Sequence, residues 1–527
     1  MAMAATDLPR VTYSNAGVVD FSGVHDRLDE VIPAFRSRRL GAEWPNVIGG
    51  RDDREGMPYD ARSPIDGDIV LGAFREATPA AVARAVEAAA AAYPDWSRRS
   101  WPERVRAMRR VADALEAAKF DLAAACLLEV GKSRMEAMGE AEEGIDLVLH
   151  YCDEMERNEG FVHPMRRAFP QEETSVLLRP LGVWAVIAPF NFPLALSVNM
   201  MAGALVTGNT VVYKPSPMAG LTGALLVRAF AEAGLPAGVV NMVCGGREVG
   251  RSLIAQPALA GAAFTGSHQV GMEIFRSFSA GPFARPVVVE MGGKNPAYVT
   301  ASADLDCAAA GVMKSAFGLQ GQKCSACSKV YVAEAVREPF LDRLLAASDA
   351  VRVGDPEQRD VFMGPVINEA AHARFRQAMA EARGQGEVLL GGERLYGGPY
   401  DKGFYLPPTI VAGLPPEHRL HREEIFLPLL AVQDFSDLGR AIADGNRVVY
   451  GLTAGIYTRD ERELDLFLDR AEAGVLYANR ASGATTGAWP GVQSFCGWKG
   501  SGVAGKGGLG PHYLPLFMRE QSRTVMR

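Results

Sequence analysis

Two periodicities divide the chain. Over its first third, apolar residues return every three to four positions, the spacing of helices that bury one face. Thr78 followed by Pro79 sets an N-cap with a first-turn proline, and the run AVARAVEAAAAAY behind it reads as a helix stopping at Pro94. Ser100 and Glu103 stand at capping-box spacing around Pro102, which predicts a second helix to about Ala118. Helical periodicity resumes over 121–130 and 134–157. From Leu181 the pattern changes to short apolar strands, VWAVIAP, TVVYKPS, VVNMVCG, AAFTGS and PVVVEMGG, separated by helix-length segments such as LTGALLVRAFAEAG. That alternation predicts βαβ units around a mostly parallel sheet. A second α/β region begins near Asn295, with helix-like ADLDCAAAGVMKSAF and strand-like 329–332 and 474–478. No internal repeat or low-complexity linker interrupts it.

A chain of 527 residues is too long for one core and implies roughly three to four domain-sized units. With 48% hydrophobic and 22% charged residues the composition is that of a globular protein, which excludes wholesale disorder. A net charge of −7 without long like-charge blocks offers no footprint for a phosphate backbone. No nucleic-acid partner is expected, and a small molecule becomes the default. The seven cysteines are too sparse and irregular for a secreted disulfide framework, which points to a reducing cytoplasmic setting. The first residues, MAMAATDLPRVTYSNAG, do not read as a signal peptide. Residues 184–202 carry no charge and could pass a hydropathy window, but Pro189, Asn191, Pro193 and Asn199 interrupt them. A strand, a turn and a buried helix give the same composition, so no membrane partner is expected.

Candidate chemistry lies in the turns. In Gly321-Gln322-Lys323-Cys324-Ser325-Ala326-Cys327 a cysteine sits in a polar turn between an apolar helix and an apolar strand. Lysine charge and nearby N–H groups would favour thiolate there, as a nucleophile requires. A structural thiol, a zinc ligand and a redox pair are the competing readings. Zinc lacks a second close Cys/His pair, a redox pair lacks its small domain, and Cys327 reads as a packing partner. No metal is expected. Glu290 ends PVVVE at the carboxyl end of a strand, where a half-buried carboxylate with a raised pKa could activate water. A surface strand end is the plain alternative. Asn191, between aromatics and prolines, either donates its amide to an oxyanion or only braces a turn. Gly266 and Gly271 near a helix start are not a GxGxxG fingerprint and carry little weight alone.

Taken in order, PFNFP, TVVYKPS, FTGS with the later Gly271, EMGGKN, GQKC and EEIFLP resemble the NAD(P)-dependent aldehyde dehydrogenases, from roughly Val47 to the C-terminus. LQGQKCSACS and the tail GPHYLPLFMREQSRT are most similar to the glutamate-semialdehyde (1-pyrroline-5-carboxylate) dehydrogenase group. The resemblance implies an α/β fold: a discontinuous Rossmann-type cofactor domain (1–160 and 180–295) and an α/β catalytic domain (296–475). It further implies a substrate-anchor loop (476–499) and a small oligomerisation element (161–179 and 500–527) that adds an apolar, unpaired terminal strand to a neighbour's sheet. A homodimer or larger assembly follows. It implies that Cys324 attacks the aldehyde, that Asn191 and the Cys324 N–H hold the oxyanion, and that Glu290 activates water to hydrolyse the thioester.

For the cofactor the resemblance implies Lys214 and Ser216 near the adenosine ribose, and Phe264, Gly266, Ser267 and Gly271 at the pyrophosphate turn. Glu424 and Phe426 fall to the nicotinamide side. For the substrate it implies Lys323 and Ser325 beside the nucleophile, a carboxylate anchor at Gly483 and Ala484, and a helical glutamate, Glu143. Pro217 stands where many relatives carry an NAD-selecting glutamate, so NAD is expected and NADP stays open. SFCG replaces the usual PFGG, the loop GATTGAWPGVQ is longer than usual, and Leu427 replaces a glycine. The expected reaction is oxidation of glutamate semialdehyde to glutamate. Another aliphatic, aromatic or semialdehyde substrate, a coenzyme A-acylating dehydrogenase, a cysteine hydrolase and a non-catalytic binding role are the alternatives.

Overall fold

The computed structural model describes residues 8–13, 15, 19–481 and 489–527. The helical first third is longer and less broken than its sequence suggests. Thr78 caps Pro79–Arg98 by accepting from the Ala81 N–H, but Pro94 does not stop that helix. The missing proline N–H removes one hydrogen bond, and the last turn is pinned from outside. The Trp96 indole donates to the Leu205 carbonyl at 3.1 Å and the Tyr93 hydroxyl to Pro180 at 3.1 Å. Likewise no break falls near Ala118, and one helix runs Trp101–Val130 behind the Ser100/Glu103 capping box. Lys119 bridges Glu116 and Glu142 at 2.6 and 3.1 Å, fastening the stretch where the two segments were expected to part. The helix ends at Gly131, whose φ of 76° suits a residue without a Cβ. Ser133 and Glu136 form a second capping box that opens Arg134–Arg157.

The strands fall where the apolar runs predict. One sheet has the order Val287–Glu290, Leu259–Thr265, Val183–Ile187, Thr210–Lys214, Val240–Met242, Asn46–Ile48, Arg51–Asp53, and its first five strands are parallel. The chain starts this parallel set at Val183–Ile187 and builds outward on both sides of it. The carboxyl ends of Val183–Ile187 and its neighbours therefore flank a reversal of strand order, where open α/β sheets leave a crevice. Residues 184–202 divide into strand, turn and the buried helix Ala195–Val206, and among the described residues no helix is long and apolar enough to cross a membrane.

A second sheet has the order Glu387–Leu390, Thr409–Ala412, Leu429–Phe435, Cys327–Ala333, Asn295–Val299, Thr453–Tyr457, Val475–Ala478, parallel except at Glu387–Leu390. The terminal strand corrects an expectation. Met518–Met526 is neither unpaired nor apolar: it runs antiparallel to Glu172–Pro180 of the same chain over nine residues, and its side chains after Met518 are exposed. Charged residues such as Arg519, Glu520 and Arg523 keep such an edge solvated.

Candidate active site

The turn that carries Cys324 is built from strained backbone held at several points. Helix Leu305–Phe317 ends in a 3-10 turn, Gly318–Gly321, in which Leu319 and Gln320 have φ of 49° and 55°. A left-handed non-glycine residue costs on the order of 1 kcal/mol and persists only when its surroundings fix it. Here the Leu319 N–H donates to Glu136 Oε1 at 2.7 Å and the Gln320 side chain to the Gly131 carbonyl at 3.0 Å. Beyond the turn, Asn295 Nδ2 donates to the carbonyls of Cys324 and Ala326 at 2.7 and 2.9 Å. Gly293 lets that approach happen, since a Cβ there would lie 2.5 Å from the Cys324 carbonyl oxygen. Cys327 points into the core, as a packing residue does.

Cys324 lines a cavity of about 450 Å³ shared with Glu290, Lys323, Ser325 and Glu143. The backbone N–H groups of Ser325 and Cys324 itself donate to its sulfur, yet burial pushes the thiol up to about 12, and the nearby Glu424 and Glu290 carboxyls push the same way. Desolvation and two acids thus oppose the thiolate that lysine charge and the turn's donors would favour. Lys323 is itself lowered by burial, and its ammonium lies over Gly318, where a Cβ would stand 2.7 Å away.

Glu290 sits at the end of Val287–Glu290, with its backbone carbonyl accepting from the Gly266 N–H at 3.1 Å. Its carboxyl accepts from the Gly497 N–H, its Oε2 is buried without a partner, and burial raises its pKa well above the ordinary value. A buried carboxyl with one oxygen free is equipped to exchange a proton there. Asn191 is buried just after Val183–Ile187, and its amide makes no side-chain hydrogen bond among the described residues. Its loop is clamped from below. Glu140 accepts from the Leu194 and Ala195 N–H groups at 2.8 and 3.1 Å and pairs with Lys132 at 2.8 Å. The Lys132 ammonium also stands 3.6 Å from the centre of the Phe192 ring.

The residues assigned to a dinucleotide gather at the strand ends of the first sheet. Lys214 ends Thr210–Lys214, donates to the Pro215 and Gly245 carbonyls at 3.1 and 2.9 Å, and is lowered to about 8 by burial. Ser216 caps the short turn Pro217–Ala219. Phe264 is buried one residue before Thr265, and Ser267 caps His268–Ser279 with its side chain exposed. Gly271 closes the first turn of that helix, and a Cβ there would meet the Met291 sulfur at 2.5 Å. Glu424 reaches the Gly293 N–H with Oε1 at 3.0 Å, while Oε2 accepts nothing among the described residues, and burial raises its pKa to about 7. Phe426 adopts a φ of 60° and packs edge-on against Phe190 with ring centres 6.0 Å apart. A helix N-terminus, a strand-end ammonium and a carboxylate with a free oxygen are the donor and acceptor set that a pyrophosphate and ribose hydroxyls need, so the residues fit a dinucleotide.

On the substrate side, Glu143 faces the cavity, accepts the Tyr13 hydroxyl at 2.8 Å, and is raised to about 8 by burial. Ser325 lines the cavity beside the sulfur. Gly483 and Ala484 lie outside the described residues. Reading the sequence passed over Lys132, Glu140, Asn295 and Tyr13. The S-x-x-E box at Ser133 and Glu136 was the available signal for the first two, since it fixes the face of Arg134–Arg157 that meets the site. Among the described residues no group of three or more His, Cys, Asp or Glu side chains could hold a metal ion.

Residues 51–522 match the aldehyde dehydrogenase family. The chain is 36% identical over 491 residues to a 1-pyrroline-5-carboxylate dehydrogenase of Geobacillus thermodenitrificans, covering 92% of this chain and 93% of that protein. It is 33% identical to the Bacillus subtilis protein of the same name, covering 98% and 99%. Among solved structures, 1-pyrroline-5-carboxylate dehydrogenase from Thermus with bound NAD superposes with a TM-score of 0.91 at 33% identity, covering 97% of this chain and 98% of that one.

Proposed function

The chain belongs to the aldehyde dehydrogenase family, and we propose that it oxidises L-glutamate 5-semialdehyde to glutamate with NAD. The observation that carries this reading is that Cys324 and Glu290 open onto one cavity that also holds the cations of Lys314 and Lys323. A thiol and a carboxyl sharing one space suit thioester chemistry, and the cations suit an aldehyde that bears a carboxylate. Lys314 has no ion-pair partner among the described residues, which leaves its charge available to an anion.

In the proposed sequence Cys324 loses its proton and its sulfur adds to the aldehyde carbon. That proton passes through water to solvent, which leaves Glu290 free for the later step. The carbonyl oxygen becomes an alkoxide facing the Asn191 amide and the Cys324 N–H, neutral donors that stabilise charge without titrating; one such donor contributes about 3 kcal/mol. NAD, when bound, would supply the hydride acceptor, and loss of hydride from that carbon would leave a thioester on Cys324. Lys214, Ser216, Phe264, Gly266, Ser267, Gly271, Glu424 and Phe426 would hold it. Glu290 then accepts a proton from water as the water attacks the thioester, and the carboxylate product leaves with the thiol restored.

Substrate selection falls to Lys323, Ser325 and Glu143, with Gly483 and Ala484 as the proposed carboxylate anchor. NAD rather than NADP is proposed because the Thermus neighbour carries NAD; Pro217 supplies no carboxylate that would enforce the choice. The seven free cysteines suit a reducing cytoplasmic compartment. The three-stranded sheet of Val162–Pro164, Glu172–Pro180 and Met518–Met526 is the element through which a homodimer or larger assembly would form. A second reading, a medium-chain or aromatic aldehyde, draws support from the cavity's apolar walls at Leu147, Leu196, Phe362 and Phe495.

The test is NADH formation on mixing protein, NAD and aldehyde, with kcat/KM compared across glutamate semialdehyde, hexanal and benzaldehyde. A preference for glutamate semialdehyde is expected. A preference for either uncharged aldehyde would move the assignment to the second reading, and product formation that requires coenzyme A would replace hydrolysis by acyl transfer.

A further inference from the structure

We infer that the N-terminal segment is part of the substrate site, where Tyr13, backed by Trp489, forms a wall that limits the length of the aldehyde. Tyr13 lines the cavity that contains Cys324, although the two residues are far apart in sequence. Its ring meets Trp489 edge-on at 5.5 Å and Phe192 at 6.4 Å, and its hydroxyl donates to Glu143 at 2.8 Å. Gly139 makes this approach possible, because its bare backbone leaves the Tyr13 ring 3.0 Å from where a Cβ would be. The same helix, Arg134–Arg157, fastens both partners. Arg10 pairs with Glu142 at 2.9 Å and Asp146 at 2.8 Å, and the Trp489 indole donates to the other oxygen of Asp146 at 2.8 Å. Val11, 1% exposed, anchors the strap in the core. One acid thus holds the N-terminal strap and the C-terminal loop together.

Two rings locked by hydrogen bonds on a helix make a rigid end wall rather than an adaptable one. A short aldehyde with a polar end fits against Glu143, whereas a longer chain would have to displace Tyr13, which Trp489 braces from behind. The inference rests on the proposed aldehyde oxidation, and narrows its substrate class to short polar aldehydes.

The experiment uses the full chain with NAD and a series of straight aldehydes from propanal to octanal, alongside glutamate semialdehyde. Tyr13→Ala is expected to raise kcat/KM for octanal relative to propanal by roughly tenfold, the order of discrimination that a single well-packed pocket contact provides. Tyr13→Phe keeps the ring and is expected to retain the wild-type length profile. Trp489→Ala removes the support behind Tyr13 if Tyr13→Ala unfolds early in a melt, and is expected to shift the ratio in the same direction. An octanal-to-propanal ratio unchanged in Tyr13→Ala and Trp489→Ala would overturn the inference. Lack of turnover of glutamate semialdehyde by the wild type sinks the substrate reading alone, because the ratio for simple aldehydes is measured independently.

Discussion

The side-chain amide of Asn295 donates to the backbone carbonyl of Cys324 at 2.7 Å and accepts from the Thr453 N–H at 3.0 Å, tying the proposed nucleophile's turn to two strands of the second sheet. Asn295→Ala removes these bonds and the one to the Ala326 carbonyl, and frees the turn. The expected result is a fall in kcat of roughly a hundredfold, as for a misplacement of about 1 Å in a reacting group, with the Kd for NAD nearly unchanged. Steady-state kinetics and fluorescence titration of the cofactor check it; equal losses in both would assign Asn295 to overall folding.

The Cys324 thiol, pushed up to about 12 by burial, should be a poor nucleophile toward alkylating agents. Without cofactor, its iodoacetamide alkylation rate is expected to climb with pH and show no plateau through about pH 9, where an ordinary thiol of pKa near 8.5 is already mostly ionised. Peptide mapping after timed quenching gives the rate at this residue alone. A plateau below pH 8 would restore the thiolate that the sequence suggested.

Lys314 should matter only to charged substrates. Lys314→Gln is expected to raise KM for glutamate semialdehyde several-fold and to leave hexanal unaffected, and the difference should shrink as salt is added. The kinetics at two ionic strengths decide it.

Buried Glu129 accepts from the Leu221 N–H at 2.6 Å and from the Thr222 N–H and hydroxyl at 2.8 and 2.7 Å, and burial raises its pKa from 4.5 to about 7. The folded protein therefore holds a proton that the unfolded chain has released between these values. Its contribution is fully present below about pH 4.5 and is lost as pH rises toward 7. Glu129→Gln cannot titrate, so its melting temperature should fall less between pH 5 and 7 than that of the wild type, measured by scanning calorimetry under about the same buffer ionic strength. Identical slopes would refute the assignment.

The parts of the molecule legible from sequence are those whose signal is local. Strand periodicity located the edge of Val183–Ile187 and the loops after it, and the polar turn around Cys324 announced itself between an apolar helix and strand. Other features depend on partners distant in the chain. Pro94 looked like a stop because nothing nearby shows that Trp96 will bury its indole against Leu205. The thiol's state depends on Glu424 and Glu290, which folding alone brings near Cys324. The clamp of Lys132 and Glu140 under the Asn191 loop is likewise tertiary, and the terminal strand finds Glu172–Pro180 only in the folded chain.

Trapping shows whether Cys324 and Glu290 act in succession on one carbonyl carbon. Glu290→Gln mixed with NAD and glutamate semialdehyde should give one equivalent of NADH per site and then stall, and intact-protein and peptide mass spectrometry should find the acyl group on Cys324. Continued turnover at the wild-type rate, or an acyl group on any residue but Cys324, would contradict it.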